Sequence, residues 1–246
     1  MEGKFSSQRR SESEEMNKNK VAFICFLWGD WPGQGLGMDY VNRLRNSLLR
    51  NASQTFDFIC YVDHPHKIRA LMDLGVEGRF IAFPECTYKW NLKKISMFRD
   101  AAELQRYEWV VALDLDLVIS GSIDFLLSHR SPRLVTCRAA YSEDIGGSVV
   151  GFNPKAFWTG PITEYLRQGY KDIEKVTGGS ERKFYRKAVD LVVIPRAEYW
   201  QDRFPGKIRS YKVDGFRKDA SIIRFHGDPR PHEVQPAPDW IKECWV

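Results

Sequence analysis

The hydrophobic pattern opens with Val21-Ala22-Phe23-Ile24-Cys25-Phe26-Leu27, an unbroken apolar run that predicts a strand buried on both faces. The segment behind it, residues 28–37, is dense in Gly and reads as a loop leaving the C-terminal end of that strand. From Met38 to Asn51 the period changes. Val41, Leu44 and Leu48 share one helical face, with Arg and Asn on the other. The alternation then repeats. Phe56–Val62 predicts a second strand, residues 65–74 a short helix ended by Gly75, and Phe80–Phe83 a third strand. Trp90–Leu104 predicts a helix that buries Leu92, Ile95 and Phe98. Strands alternating with helices indicate βαβ units. The expected class is therefore α/β, one domain over residues 21–246 with a mainly parallel central sheet flanked by helices. Residues 1–20 are polar and without periodicity, which predicts a disordered tail.

The run from Trp109 to Ile119 departs from the pattern, because Asp114 and Asp116 interrupt it. An unpaired buried carboxylate is costly, so the strand is expected to reach its end there. Residues two apart on an extended segment point to one side, where both carboxylates can converge on a cation. Hard divalent ions such as Mn²⁺ and Mg²⁺ take oxygen ligands of this kind beside substrate phosphates. A pair of turn or capping aspartates is the alternative. Farther on, Ser122 is expected to cap a short helix over 123–127, and Leu134–Arg138 and Ser148–Asn153 read as strands. Helices follow from Pro161 to Tyr170 and over 177–189, with final strands at Asp190–Pro195 and Ser221–His226.

Composition adds mainly exclusions. The 246 residues, 43% hydrophobic and 28% charged, suit a soluble α/β domain. The net charge of +5 is spread among acidic residues, so it points to no nucleic acid but tolerates a phosphate-bearing ligand. Cysteines 25, 60, 86, 137 and 244 lack paired spacing and read as reduced core thiols, not a disulfide framework or a zinc site. No apolar stretch approaches the roughly 18 residues of a membrane span. With no signal peptide before the first strand, a cytoplasmic location is expected. Trp28 and Trp31 stand where a ligand's base could stack, and Lys94 precedes the aspartates on a helix leading into their strand.

Val110–Ile123 resembles the Asp-X-Asp region of nucleotide-sugar glycosyltransferases of the GT-A fold, where a hydrophobic strand leads into Asp-X-Asp and a following Gly-Ser-Ile-Asp turn. Lys94-Ile95-Ser96-Met97-Phe98-Arg99 is similar to the helix these proteins place before the motif, and Ile145–Asn153 to the strand after it. Phe225-His226-Gly227-Asp228-Pro229-Arg230-Pro231 is similar to the ending of the glycogenin and lipopolysaccharide-galactosyltransferase kind. Together these cover roughly residues 21–235.

The resemblance implies metal-dependent transfer of a sugar, with retention, from a nucleotide-sugar (UDP-sugar foremost) to a glycan, lipid-linked or protein acceptor. It implies Asp114, Asp116 and His226 as ligands of Mn²⁺ or Mg²⁺. Asp114, Lys94, Trp28, Gly227 and Arg230 would contact the donor, Arg230 standing where the family usually has Lys. Two departures accompany it. The family's Asn on the strand after the motif is Gly146 here, and its acidic residue facing the acceptor has no clean counterpart. Glu181 and Asp144 are the candidates for that acid–base role. The departures motivate a second expectation, a degenerate relative that binds nucleotide-sugar or a partner without turnover. A dehalogenase-type phosphatase would place its motif on the first strand, and a pyrophosphorylase would want Arg in the loop after Leu27. Neither fits this chain.

Overall fold

The computed structural model describes residues 21–30, 36–83, 90–99, 101–141, 145–190 and 196–246. The polar tail at 1–20, Trp31, Cys86, Glu143 and Asp144 lie outside the described residues, as does the strand expected at Asp190–Pro195 apart from Asp190, which ends a helix. Seven strands form the main sheet: β1 (Val21–Leu27), β2 (Asp57–Val62), β3 (Arg79–Ala82), β4 (Trp109–Leu113), β6 (Val135–Arg138), β7 (Ile145–Phe152) and β8 (Glu198–Tyr199). Their order is β3-β2-β1-β4-β7-β6-β8. β1 runs parallel to β2 and β4, β2 to β3, and β6 to β8, whereas β7 is antiparallel to both β4 and β6. The mainly parallel α/β sheet expected from the sequence is present, with β7 reversed in its middle.

β1 shows why its sequence is apolar throughout. Val21, Phe23, Cys25 and Leu27 face one core with α1 (Gly37–Asn51), while Ala22, Ile24 and Phe26 face a second core on the other side. Neither face meets water, so no polar position is tolerated. The second core also takes Ile162, Leu166 and Ile173 of α3 (Thr159–Thr177) and Phe184, Tyr185 and Ala188 of α4 (Glu181–Asp190). The remaining longer helix, α2 (Pro65–Asp73), buries only Leu71. Cys25 and Cys60 face each other in register between β1 and β2, and with Cys137 they are free, buried thiols. No helix among the described residues is long and apolar enough to cross a membrane.

Several boundaries differ from the sequence expectation. The run from Trp109 to Ile119 is two strands in two sheets. β4 ends at Leu113, and β5 (Leu117–Ile119) joins a small sheet with β9 (Ile208–Ser210) and β10 (Ile222–Arg224) in the order β5-β10-β9. The two aspartates sit in the turn between the sheets, not on an extended segment. The expected helix from Trp90 starts as a 3-10 turn over Trp90–Ile95 before the helical turn Ser96–Arg99. β7 begins three residues earlier than expected, because Ile145 and Gly146 still pair with Arg138 and Cys137 of β6. The helix expected to end at Tyr170 continues to Thr177.

Gly151 marks a tight point of the core. A Cβ there would lie 2.6 Å from Cζ2 of Trp109 and 2.7 Å from Cζ2 of Trp200, both fully buried rings. Gly151→Ala is expected to destabilise the fold by about 1–3 kcal/mol through overpacking. Urea unfolding of the two proteins measures it, and an unchanged midpoint would show that the rings yield freely.

Candidate active site

The site forms where β4 stops. Asp114 N still donates to Ser148 O of β7 at 2.9 Å, so the main sheet holds the chain for one residue beyond Leu113. The chain then turns through Leu115 and Asp116 into β5, and Phe225 N donates to Asp116 O at 3.1 Å. The turn is thus fastened to β7 on one side and to the end of β10 on the other. A turn of this kind brings both carboxylates to one cleft without an extended geometry.

Lys94 occupies the centre. The 3-10 turn directs it inward, where only 7% of its side chain is exposed. Its Nζ pairs with Asp114 Oδ1 and, at 2.9 Å, with Glu181 Oε2. Glu181 in turn accepts a hydrogen bond from Tyr185 OH at 3.0 Å, one turn along α4. Burial alone would lower the Lys94 pKa, but the Asp114 and Glu181 carboxylates outweigh it and hold the ammonium above its ordinary value. Gly147 makes room for this group. A Cβ there would stand 2.7 Å from Glu181 Oε1, closer than the contact allows. Gly147→Ala is therefore expected to displace the Glu181 carboxylate from Lys94 and to cost about 2–4 kcal/mol. Thermal unfolding checks this, and a melt like the wild type's would refute the contact.

Two adjoining clefts meet at Lys94, Asp114, Asn91 and His226, which line both. The first, of about 260 Å³, is also lined by Phe26, Trp28, Asp116, Gly227 and Arg230. The second, of about 480 Å³, is lined by Tyr141, Ser148, Ser180, Glu181, Arg182 and Arg224. Asp116 is half-buried, and its pKa is pushed up to about 8, by burial first and then by the Asp114 carboxylate, against the pull of Lys94 and Arg230. Glu181 is pushed up to about 7 by burial, with Lys94 pulling it down and Asp114 up. His226 is lowered by burial and by the charges of Arg224, Lys212 and Arg182, and its Nε2 is hydrogen-bonded to Ser210 Oγ at 2.7 Å. Tyr141 packs edge-on against its ring.

Among the described residues no three His, Cys, Asp or Glu side chains are grouped closely enough to hold a metal ion. The chemistry of the donor set nonetheless suits one. The Lys94 ammonium is shared between Asp114 and Glu181, and the raised pKa of Asp116 marks a carboxylate pair with too little positive charge beside it. A hard divalent cation is the species that such a carboxylate pair accommodates.

No protein-family model matches the sequence, and no curated protein matches it. Solved structures do resemble it. The glycosyltransferase GlyE of Streptococcus pneumoniae TIGR4 superposes with a TM-score of 0.64 over 93% of this chain, at 12% identity. The galactosyltransferase LgtC, in complex with donor and acceptor sugar analogues, superposes with a TM-score of 0.61 over 92% of this chain, at 9% identity. The chain has the GT-A fold. It spans 61% of the length of GlyE and 50% of that of the bifunctional glycosyltransferase WbbM, but 96% of LgtC.

Within the GT-A fold the described sequence-nominated residues fall into three groups. Trp28, Asp116, Gly227 and Arg230 line the first cleft, Glu181 the second, and Lys94, Asp114 and His226 their junction. Asp144 lies outside the described residues. Sequence reasoning passed over Arg224 and Tyr185. For Arg224 the signal was available, since it interrupts the apolar run Ile222-Ile223-Arg224-Phe225 as Asp114 interrupts its own.

Proposed function

We propose that the protein is a metal-dependent glycosyltransferase that moves a sugar from a nucleotide-sugar to an acceptor hydroxyl, with retention of the donor's anomeric configuration. The observation that carries this reading is the place of Asp114 at the meeting of two adjoining clefts, with Asp116 lining the first of them, on a fold shared with LgtC. Two contiguous clefts suit a donor and an acceptor held side by side. Asp114 and Asp116, with His226 from the same cleft, would hold Mn²⁺ or Mg²⁺, which when bound stabilises the charge of a leaving diphosphate. Arg230 offers that diphosphate a planar fork of donors, and Trp28 offers a base its ring face. Gly227, with φ of 69°, bares its backbone to the same cleft. Lys94 fixes Asp114 and Glu181 in place. A carboxyl titrating near neutrality, as Glu181 does, can accept the proton of an acceptor hydroxyl. Asp144 stays in the proposed set as a second acid. The acceptor is a glycan, a lipid-linked sugar or a protein.

Titrating UDP into the protein with Mn²⁺, with Mg²⁺ and with chelator tests donor binding, which is expected only with metal. Release of nucleoside diphosphate from UDP-sugars with an acceptor panel tests turnover, and NMR of the first product gives the anomer. An inverted product would reject retention. One observation favours a second reading, binding without turnover. A Cβ at Gly146 would lie 3.0 Å from Cys137 O, so no side chain reaches an acceptor from that position. Metal-dependent binding with no release for any acceptor would decide for it.

A further inference from the structure

Arg224 is a buried charge with no salt-bridge partner among the described residues. It lies in β10 with 5% of its surface exposed. Its Nη1 donates to Arg138 O at 2.9 Å, and its Nε is buried with no hydrogen-bond partner. No carboxylate among the described residues forms a salt bridge with it. Burying a guanidinium on neutral groups, here the Arg138 carbonyl and the Cys137 thiol, is unfavourable, and an apolar residue would serve the strand better. A buried donor left open in a folded protein calls for a partner.

The position of Arg224 says what kind. It lines the second cleft and not the first, where Arg230 stands. Arg182, exposed at the start of α4, lines the same cleft and forms no salt bridge among the described residues. Both guanidinium groups line the cleft, and both act electrostatically on the His226 ring that lines it with them. In the same cleft Glu181 and Asp114 already have Lys94 as a salt-bridge partner. Among the described residues Arg224 and Arg182 have none.

Resting on the glycosyltransferase reading above, we propose that the second cleft takes an acidic acceptor, a sugar bearing a carboxylate or phosphate group that binds Arg224 and Arg182. Guanidinium is suited to either anion, because its paired N–H groups match two oxygens at once. Anchoring the acid there holds the rest of the sugar in the cleft that Glu181 and Lys94 also line, where an acceptor hydroxyl is needed. Neutral sugars would leave Arg224 unpaired, so the same residue also selects against them.

The test titrates glucuronate, glucose 6-phosphate and glucose into wild type, Arg224→Met and Arg182→Ser, with and without UDP and Mn²⁺. At least one acid is expected to bind wild type tenfold or more tighter than glucose, a factor of ten being about 1.4 kcal/mol. The tighter of the two acids identifies the anionic group. Arg224→Met should erase the preference. It removes an unpaired buried charge, so its melting temperature should be kept or raised. Arg182→Ser, a surface change that does not threaten folding, should weaken the acid by about threefold to tenfold as a partly solvated contact. Equal binding of acids and glucose to wild type would overturn the proposal, and so would a preference that survives Arg224→Met. Weakened UDP binding in Arg224→Met with acid binding intact would also overturn it, by placing Arg224 in the donor site. Absence of UDP binding in wild type would instead reject the glycosyltransferase reading, while the acid preference could still stand.

Discussion

Lys94→Met is expected to cost about 3–5 kcal/mol, the usual consequence of removing one partner from a buried ion pair. For a chain of this size that lowers the melting temperature by roughly 6–20 °C. The ammonium is the one charge that joins the 3-10 turn to both Asp114 and α4, through Glu181. Without it Asp114 and Glu181 lose the cation they share. Repulsion should then drive one carboxyl to take a proton or push α4 outward. The double variant Lys94→Met/Glu181→Gln removes one of those charges and should recover part of the loss. Thermal and urea unfolding of the three proteins measure this. A loss below about 1 kcal/mol would mean that the pair is as weak as a surface one.

Asp116→Asn is expected to act in the opposite direction on stability while abolishing metal-supported binding of UDP. The pKa of Asp116 in the folded protein is raised to about 8 from an ordinary value of 3.8. The native state therefore holds a proton there that the unfolded chain has already released. Stability drawn from this group is complete below pH 3.8 and is lost as the pH rises through about 8. At pH 8.5 without metal, Asp116→Asn should thus be more stable than wild type by on the order of 1–3 kcal/mol. At pH 4 the two should nearly coincide, and added Mn²⁺ should stabilise only the wild type. If wild type keeps the same stability from pH 5 to pH 8.5, or the variant binds UDP with unchanged metal dependence, the carboxylate is not the strained, metal-seeking group described here.

Much of this architecture can be read along the chain, and the reasons for the rest are physical. β1 and β2 are legible because a strand covered on both faces must be apolar at every position. α1 is legible because only one of its faces is covered. The break at Leu113 is not, since Leu117-Val118-Ile119 is as apolar as the strand before it. What separates β5 from β4 is its partner, β10, and pairing between distant strands leaves no local periodicity. The reversal of β7 is hidden for the same reason. β8 and β9, two and three residues long, are too short to show a period. In the site, the aspartates are conspicuous as charges inside an apolar run. Lys94 was drawn to attention by its neighbourhood, but its union with Glu181 depends on how α4 packs, 87 residues later. The Gly residues at 146 and 147 look like loop in the sequence and are strand in the structure, because β6 and the Glu181 carboxylate leave no room for side chains.

The small sheet also orders events in time. β5 takes its hydrogen bonds from β10, and Ser120 Oγ donates to Ala220 O, 100 residues farther along the chain, at 3.0 Å. During synthesis β1, β2, β3 and β4 can pair as they emerge, whereas the aspartate turn has one of its two fastenings missing until β10 has been made. At about 5–20 residues per second that interval is roughly 5–20 s. For that time the nascent chain presents β5, an apolar edge, beside the two carboxylates. A chaperone acting on this protein would find its substrate at the future aspartate turn, and the strand that closes the turn would be the one that displaces it.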